Sequence, residues 1–185
     1  MRKDILISIR MTIAIAVITC ALYPLAVFAI AQAAFSDKAN GSFVAHDGRV
    51  VGSALIGQNF ASDRFFHSRP SAAGKDGYDG TASGGTNFGP TSKKLRDAIA
   101  SSIHTFDVHT NVPADAVTSS GSGLDPHISP PNAFAQAARV ARANRISEAA
   151  VQSLIRNRIE GRFLGIYGEP RVNVVLLNLD LLQRR

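Results

Sequence analysis

The chain of 185 residues contains a single cysteine, so it cannot form an internal disulfide bond. That residue, Cys20, lies within a long apolar stretch near the N-terminus, which leaves residues 35–185 without any thiol. Disulfide-stabilised scaffolds and thiol-dependent activities are therefore excluded for this larger part of the chain. Its stability must come from packing.

Charged side chains are absent from residues 11–34, whose sequence is MTIAIAVITCALYPLAVFAIAQAA. A helix rises about 1.5 Å per residue, so this stretch is long enough to cross a hydrocarbon core of about 30 Å with some tilt. Pro24 removes one helical hydrogen bond, and we expect a kink there, which membrane helices tolerate. The sequence predicts a transmembrane helix over residues 11–34.

A cleaved secretory signal is the alternative, because Arg2 and Lys3 form a basic start and Ala31-Gln32-Ala33 resembles a cleavage site. The apolar stretch is, however, longer than the roughly 7 to 15 residues of such signals. Together with Arg10, these basic residues precede the helix. This favours a cytoplasmic location for the N-terminal residues 1–10. We predict a single-pass protein of the cell inner membrane, with residues 35–185 as a globular domain outside the cytoplasm.

Dense basic clusters are also missing, although the formal net charge is +6. The most basic segment, RVARANR at residues 139–145, has no aromatic residues of the kind that accompany RNA recognition. A solvated helix face explains this segment better than a nucleic-acid patch. The sequence predicts a membrane protein that binds no nucleic acid.

The domain after residue 35 shows mixed periodicity. A hairpin is predicted around SFVAH with a strand near 50–56, and residues 67–92 have the glycine-rich composition of a loop. Helices are predicted over 92–106, from the cap Ser129 onward, and from the cap Ser147 to a stop at Gly161. The segment RVNVVLLNLDLL, residues 171–182, is typical of a strand covered on both faces. We predict an α+β fold with about three helices and a small sheet after the membrane helix.

The segment SGSGLDPHISP places Ser122, Asp125 and His127 within six positions, which suggests an exported hydrolase. No G-x-S-x-G elbow is present, because position 120 is a serine. The flanking glycines and prolines favour a loop that turns tightly and caps the next helix. We therefore predict no catalytic residues and keep the hydrolase as an alternative.

The sequence also disfavours a phosphate-binding loop and a metal site. Gly84, Gly89 and Thr91 fit a phosphate-binding loop, but Pro90 stands where its lysine is required. The histidines are scattered, and His104 and His109 lie five residues apart, so that a helix would not present both on one face. We predict no metal site.

Taken together, these segments resemble one family, the C subunits of Kdp-type potassium-transporting P-type ATPases. The similarity covers nearly the whole chain in matching order. It rests on Tyr23-Pro24-Leu25, Asn40-Gly41-Ser42, Gly52 to Phe60, Phe66 to Ala72, Ser83 to Asn87, Ser122 to Pro130, Gln136, Arg139-Val140-Ala141, Val172-Asn173-Val174 and Leu177-Asn178.

The resemblance implies an accessory subunit that hydrolyses nothing itself. Its expected partners are a channel-like potassium-binding subunit, a P-type subunit that hydrolyses ATP, and a very small peptide subunit. We expect a role in assembling and stabilising this complex, through the loops 67–92 and 119–130. The expected docking residues are Arg69, Pro70, Gly84, Gly85, Asn87, Gly123, Asp125 and His127.

The same resemblance also implies an alternative, in which the subunit is a catalytic chaperone that raises the ATP affinity of the hydrolysing subunit. Gln136 is the residue that the family pattern then associates with ATP. The basic residues before the apolar stretch predict that the domain lies outside the cytoplasm, where it cannot reach cytoplasmic ATP. We therefore expect no firmly bound cofactor, with ATP contacted only through the hydrolysing subunit.

Overall fold

The computed structural model describes residues 2–106 and 111–184. It divides into two compact units, residues 1–43 and 44–185, which are considered separately below.

The first unit contains a long helical segment, Arg2–Ala39, of 38 residues with a mean hydropathy of 2.5 over its most apolar window, interrupted by a kink at Phe35. It includes all of residues 11–34 and is long and apolar enough to cross a membrane. Its two α-helical parts, α1 (Arg2–Val17) and α2 (Tyr23–Ala39), flank a π-helical turn at Ile18–Leu22. None of its side chains is buried.

The π-turn ends at Leu22, two residues before Pro24, where the sequence predicts a distortion. Proline has no N–H to donate to the carbonyl of Cys20, and its ring crowds that carbonyl. Widening the preceding turn by one residue relieves the crowding while other backbone bonds are kept, which is why π-turns commonly mark such positions. A second departure from helical geometry lies at Phe35, with φ −142° and ψ 39°.

Among the described residues, two small sheets follow the long helix. Strands β1 (Phe43–His46) and β2 (Arg49–Ser53) form the expected hairpin, and Asp47 and Gly48 both adopt positive φ in its turn. The other sheet is antiparallel, with order β3-β5-β4, and consists of His127–Ile128, Arg171–Asn173 and Ile159–Glu160. Its register pairs Ile128 and Ile159 with Val172.

In the part of the second unit that the structure describes there are five helices: α3 (Lys93–Thr105), α4 (Ala114–Val117), α5 (Pro130–Asn144), α6 (Glu148–Asn157) and α7 (Val174–Gln183). The predicted caps are confirmed, because Ser129 accepts a hydrogen bond from Asn132 N and Ser147 accepts one from Ala150 N. Helix α6 ends at Asn157, before the expected stop at Gly161, since strand pairing already begins at Ile159. The α+β class is confirmed.

The prediction of a long C-terminal strand is wrong. Only residues 171–173 are extended, and Asn173 then caps α7 by accepting a hydrogen bond from Leu176 N at 3.2 Å. Val174, Leu177 and Leu181 follow at spacings of three and four and lie on the same buried face. Because this segment is apolar at nearly every position, its hydrophobic pattern cannot distinguish a buried strand from a buried helix.

The core lies between α5, α6, α7 and the three-stranded sheet. Its members include Ala137 and Val140 of α5, Ile155 of α6, Val172 of β5 and Leu177 of α7. Phe66 also belongs to this core and is fully buried, although it comes from residues 54–92, a stretch without helix or strand. This long loop must therefore be fixed to the core by contacts other than a strand ladder.

Candidate functional site

Two buried amide side chains hold the long loop against the helices. Asn178 of α7 accepts a hydrogen bond from Phe66 N at 2.8 Å and donates one to Phe66 O at 3.0 Å. Gln136 of α5 does the same for His67, accepting from its N at 2.7 Å and donating to its O at 3.1 Å. We call Gln136 and Asn178 the amide clamp. Each amide replaces the hydrogen bonds that a neighbouring strand would otherwise supply.

The amide of Gln136 has no unused hydrogen-bonding capacity in this arrangement. Besides its two bonds to His67, Nε2 donates to Asn132 Oδ1 at 2.9 Å and Oε1 accepts from Arg139 at 2.8 Å. Two donors and two acceptor positions are the full capacity of a glutamine side chain. The prediction that Gln136 contacts ATP stays a prediction, and such a contact would require one of these four bonds to break.

Other polar side chains of α5 bind residues 63–65, which directly precede the residues that the amide clamp holds. Arg139 donates to Asp63 O at 2.7 Å and to Phe65 O at 3.0 Å, and Asn144 donates to Arg64 O at 2.7 Å. The RVARANR segment therefore does more than present a solvated face. Its polar side chains fix the backbone of residues 63–65.

The start of α5 is anchored by Asp115 of the short helix α4. Its carboxylate accepts hydrogen bonds from the backbone N and the hydroxyl of Ser129, at 2.7 and 2.9 Å, and from the amide of Asn132 at 3.0 Å. Since Asn132 in turn accepts from Gln136, a continuous chain of polar contacts runs from α4 to the clamp.

Sequence reasoning missed Asp115, Asn132 and Asn178 as functional positions. A signal was present for the helix α5, because Asn132 and Gln136 are four residues apart among alanines and an amide pair on an apolar face needs buried partners. No comparable signal marked Asp115, whose role depends on a contact made across the fold.

Arg69 joins the two loops that the sequence assigned to docking. Its guanidinium donates to the carbonyls of Thr118 and Ser119, at 3.4 and 3.2 Å, and lies 3.5 Å from the carboxylate of Asp125. Asp125 also accepts from the backbone N and from Nδ1 of His127, at 3.0 and 3.1 Å. The structure thus brings Arg69, Asp125 and His127 together.

Asp125 is ionised in this setting. Partial burial by itself favours the neutral acid, but the hydrogen bonds from His127 and the charges of His127 and Arg69 outweigh it and lower the pKa of the Asp125 carboxyl below its ordinary value. The carboxylate acts as an acceptor that shapes the turn before β3.

Ser122 does not join this group in the described structure. Its hydroxyl accepts from Leu124 N at 3.1 Å and lies 3.4 Å from the hydroxyl of Ser120, so it shapes its own loop. His127 points its Nδ1 to Asp125. The arrangement lacks the contact between nucleophile and base that a hydrolase requires, in agreement with the prediction of a shaped loop.

Glycines allow the loops 71–86 and 119–124 to meet backbone to backbone. Gly84 N donates to Ser122 O at 2.8 Å, and Ser71 Oγ donates to Gly123 O at 2.6 Å. Gly123 has φ +66°, and a Cβ there would lie 2.6 Å from Gly84 O. A Cβ on Gly85 would lie 2.9 Å from Gly121 O. The close approach explains these glycines without any ligand.

The remaining predicted docking residues differ in exposure. Asn87 is exposed and adopts φ +52°, a conformation that asparagine tolerates. Pro70 is half-buried and lines an open cleft of about 550 Å³. The assignment of Asn87 and Pro70 to docking stays a prediction.

This cleft borders Gln136 of the amide clamp and is large enough for a small ligand. Its wall includes Gln136, Arg69, Lys75 and Tyr78. Burial raises the pKa of Tyr78 to about 12, and its hydroxyl donates to Arg69 O at 2.7 Å. Arg69, Asp125 and His127 also line a shallower groove of about 420 Å³, together with Glu169, Pro170 and Arg171.

Over residues 2–106 and 111–184 no group of three His, Cys, Asp or Glu side chains is placed to hold a metal ion. His109, which the sequence analysis compared with His104, lies outside the described residues.

Comparison with known proteins decides the family. The model of the KdpC family, described as the c chain of the K⁺-transporting ATPase, matches residues 5–183. The chain belongs to the KdpC family. The resemblance inferred from the short motifs is therefore confirmed.

Similar members of the KdpC family come from distant bacteria, and each is named a potassium-transporting ATPase KdpC subunit. The protein of Myxococcus xanthus is 51% identical over all of this chain and 90% of its own length. That of Koribacter versatilis is 47% identical over 98% of this chain and 95% of its own, and that of Mycobacterium tuberculosis is 49% identical over 98% of each. The matches include both the apolar helix and the globular unit.

The amide clamp predicts that replacing Gln136 strongly destabilises the fold. Gln136→Ala should lower the free energy of unfolding by about 2 to 4 kcal/mol, because it leaves buried groups of His67 and Asn132 without partners. Gln152→Ala is the matched control, since the hydrogen bond described for that amide is a solvent-exposed one to Glu148, and it should change stability by about 0.5 kcal/mol or less. Denaturant unfolding of the detergent-solubilised chain measures both. Equal, small effects would contradict the clamp.

Proposed function

We propose that the chain is an accessory, non-hydrolysing subunit of an ATP-driven potassium uptake complex, needed to assemble and stabilise it. The observation that carries this proposal is the family match over residues 5–183, to proteins that are named subunits of a potassium-transporting ATPase. The contacts of the 119–130 loop are consistent with the non-hydrolysing role, since Ser122, Asp125 and His127 serve loop geometry.

The proposed partners are a channel-like potassium-binding subunit, a P-type subunit that hydrolyses ATP, and a small peptide subunit. Docking is assigned to the loops 67–92 and 119–130. Two features support the assignment: the loops share backbone contacts at Gly84 and Gly123, and Arg69 braces one against the other. Such cross-bracing gives a partner a preformed surface, which reduces the entropy lost on binding.

The proposed topology places the N-terminus in the cytoplasm and the globular unit outside. Its support is the basic group Arg2, Lys3 and Arg10 on one side of the apolar stretch, against Asp37 and Lys38 on the other. Under this topology the subunit acts on the outer side of the channel-like subunit.

Removing the globular unit should abolish assembly. A chain that ends after residue 43 keeps the apolar helix but loses both docking loops. We expect the other subunits to be recovered without it after affinity purification from membranes, with high-affinity potassium uptake lost. The control is the full chain carrying Gln152→Ala. An intact complex that transports normally without residues 44–185 would refute the proposal.

A second candidate function is a chaperone that binds ATP and raises the ATP affinity of the hydrolysing subunit. The observation that favours it is the cleft of about 550 Å³, whose wall carries Gln136 and the cations Arg69 and Lys75. Against it stand the four hydrogen bonds of Gln136 and the contacts of Arg69 with the 118–119 carbonyls, because a nucleotide that used either side chain would have to break at least one of these bonds.

Cysteine labelling separates the two functions by topology. Ala149→Cys lies on an exposed position of α6 and leaves the Ser147 cap intact, and Cys20→Ser removes the only other thiol. We expect a membrane-impermeant maleimide to label this variant in intact cells, provided the outer membrane is permeabilised. The same variant with Asp4→Cys in place of Ala149→Cys is the control and should label only after lysis. Labelling in the opposite order would place the domain with cytoplasmic ATP.

A further inference from the structure

A short hairpin outside both predicted docking loops exposes four large apolar side chains. Residues 162–169, with the sequence RFLGIYGE, connect β4 to β5. The side chains at its tip are largely in solvent: Phe163 is 71% exposed, Leu164 74%, Ile166 72% and Tyr167 65%. No packing within the described domain accounts for four such residues within five positions.

The hairpin has a defined backbone. Phe163 N donates to Tyr167 O at 2.8 Å, and Tyr167 N donates to Phe163 O at 2.9 Å. Leu164 and Gly165 make the turn at positive φ, 53° and 74°. At the base, Arg162 forms a two-oxygen contact with Glu169 at 2.8 and 3.0 Å. The apolar tip is therefore presented in one shape instead of on a disordered loop.

A preformed protrusion of this kind is typical of a binding element. Contiguous exposed apolar surface is uncommon on soluble domains and marks contact sites. Aromatic residues that insert into a pocket carry much of the energy of an interface. The open question is whether the tip enters lipid or a protein.

Charge distribution favours a protein. Lipid-binding loops commonly place unpaired Lys or Arg beside the apolar residues, to attract anionic headgroups. Residues 160–171 contain two arginines and two glutamates and have no net charge. Each arginine is paired, Arg162 with Glu169 and Arg171 with Glu160 at 2.9 Å. The base of the hairpin thus offers no free cation to a bilayer.

The base of the hairpin also adjoins a groove lined by charged side chains, and this too favours a protein partner. Glu169, Pro170 and Arg171, at the base of the hairpin, also line the groove of about 420 Å³ that contains Asp125 and His127. An apolar projection beside a groove rich in hydrogen-bonding groups matches the layout of a protein interface, with an apolar centre and a polar rim. A bilayer would make no use of the groove.

We propose that the hairpin 162–169 is the principal anchor of this subunit, inserting its four apolar side chains into an apolar pocket on another protein subunit of the same complex. The groove beside it receives the polar edge of that partner. This inference rests on the proposed function as an accessory subunit. It moves the centre of the docking surface from the glycine-rich loops to the connection between β4 and β5.

The test uses Leu164→Asn together with Ile166→Ser. Asparagine tolerates the positive φ of position 164, so the hairpin should keep its backbone while its apolar tip is lost. We expect the amount of this chain that co-purifies with the tagged remaining subunits, after co-expression and extraction from membranes, to fall at least tenfold, since each buried aliphatic side chain contributes about tenfold to the Kd. The thermal unfolding midpoint of the full chain should not fall. The matched control, Ile166→Val, should bind within about threefold of the unchanged chain.

Failure of the two proposals can be told apart. If the unchanged chain does not bind the remaining subunits, the proposed function fails. If the unchanged chain binds and the double variant binds equally well, the hairpin is not the anchor, and the proposed function stands.

A photo-crosslink identifies what surrounds the tip. Replacing Phe163 with p-benzoyl-phenylalanine keeps an aromatic side chain, and irradiation of the assembled complex in native membranes should give an adduct with a protein subunit, identified by mass spectrometry. An adduct with phospholipid would overturn the proposal in favour of membrane insertion. An intact complex without any adduct at this position would overturn it as well.

Discussion

A loop that is buried without a strand partner must find hydrogen bonds for its backbone, and in this protein two amide side chains supply them. Phe66 enters the core and His67 follows half-buried beside α5, and no neighbouring strand is described that would bond their N–H and C=O groups. Gln136 and Asn178 each satisfy one residue completely. An aliphatic side chain at either position would leave two buried backbone groups without partners, at a cost of about 1 to 3 kcal/mol for each group.

The position of the proposed docking surface follows from this clamp. Arg69 lies two residues beyond His67, so fixing His67 places the guanidinium against the 118–119 carbonyls and Asp125. The 119–124 loop is then held by Gly84 and Ser71, and the backbone of Pro126 accepts a hydrogen bond from the first residue of α7. The two loops and the C-terminal helix thereby form one connected body, and the hairpin 162–169 projects from its sheet.

Local sequence signals predicted some of these features and not others. Serine caps followed by prolines or acidic residues located the starts of α5 and α6, because capping depends on a few neighbouring residues. The C-terminal segment was wrongly predicted as a strand. Its apolar residues fit both the alternating pattern of a strand and the three-and-four spacing of a helix. Only the cap at Asn173 decides between the two, and one asparagine is a weak signal. Asp115 and Asn178 act through contacts with residues far away in the sequence, which a local pattern does not contain. The sequence FLGIY shows that the tip of the hairpin is apolar. It does not show that these side chains are exposed, because exposure depends on the fold.

Amide hydrogen exchange at Phe66 and His67 tests the clamp most directly. Both residues belong to a segment without helix or strand, where exchange is ordinarily fast. If Gln136 and Asn178 hold them as described, their amides should exchange as slowly as those of the core helices α5 and α7, and Gln136→Ala should accelerate His67. Exchange at Phe66 and His67 as fast as in the exposed residues 80–83 of the same loop would contradict the account.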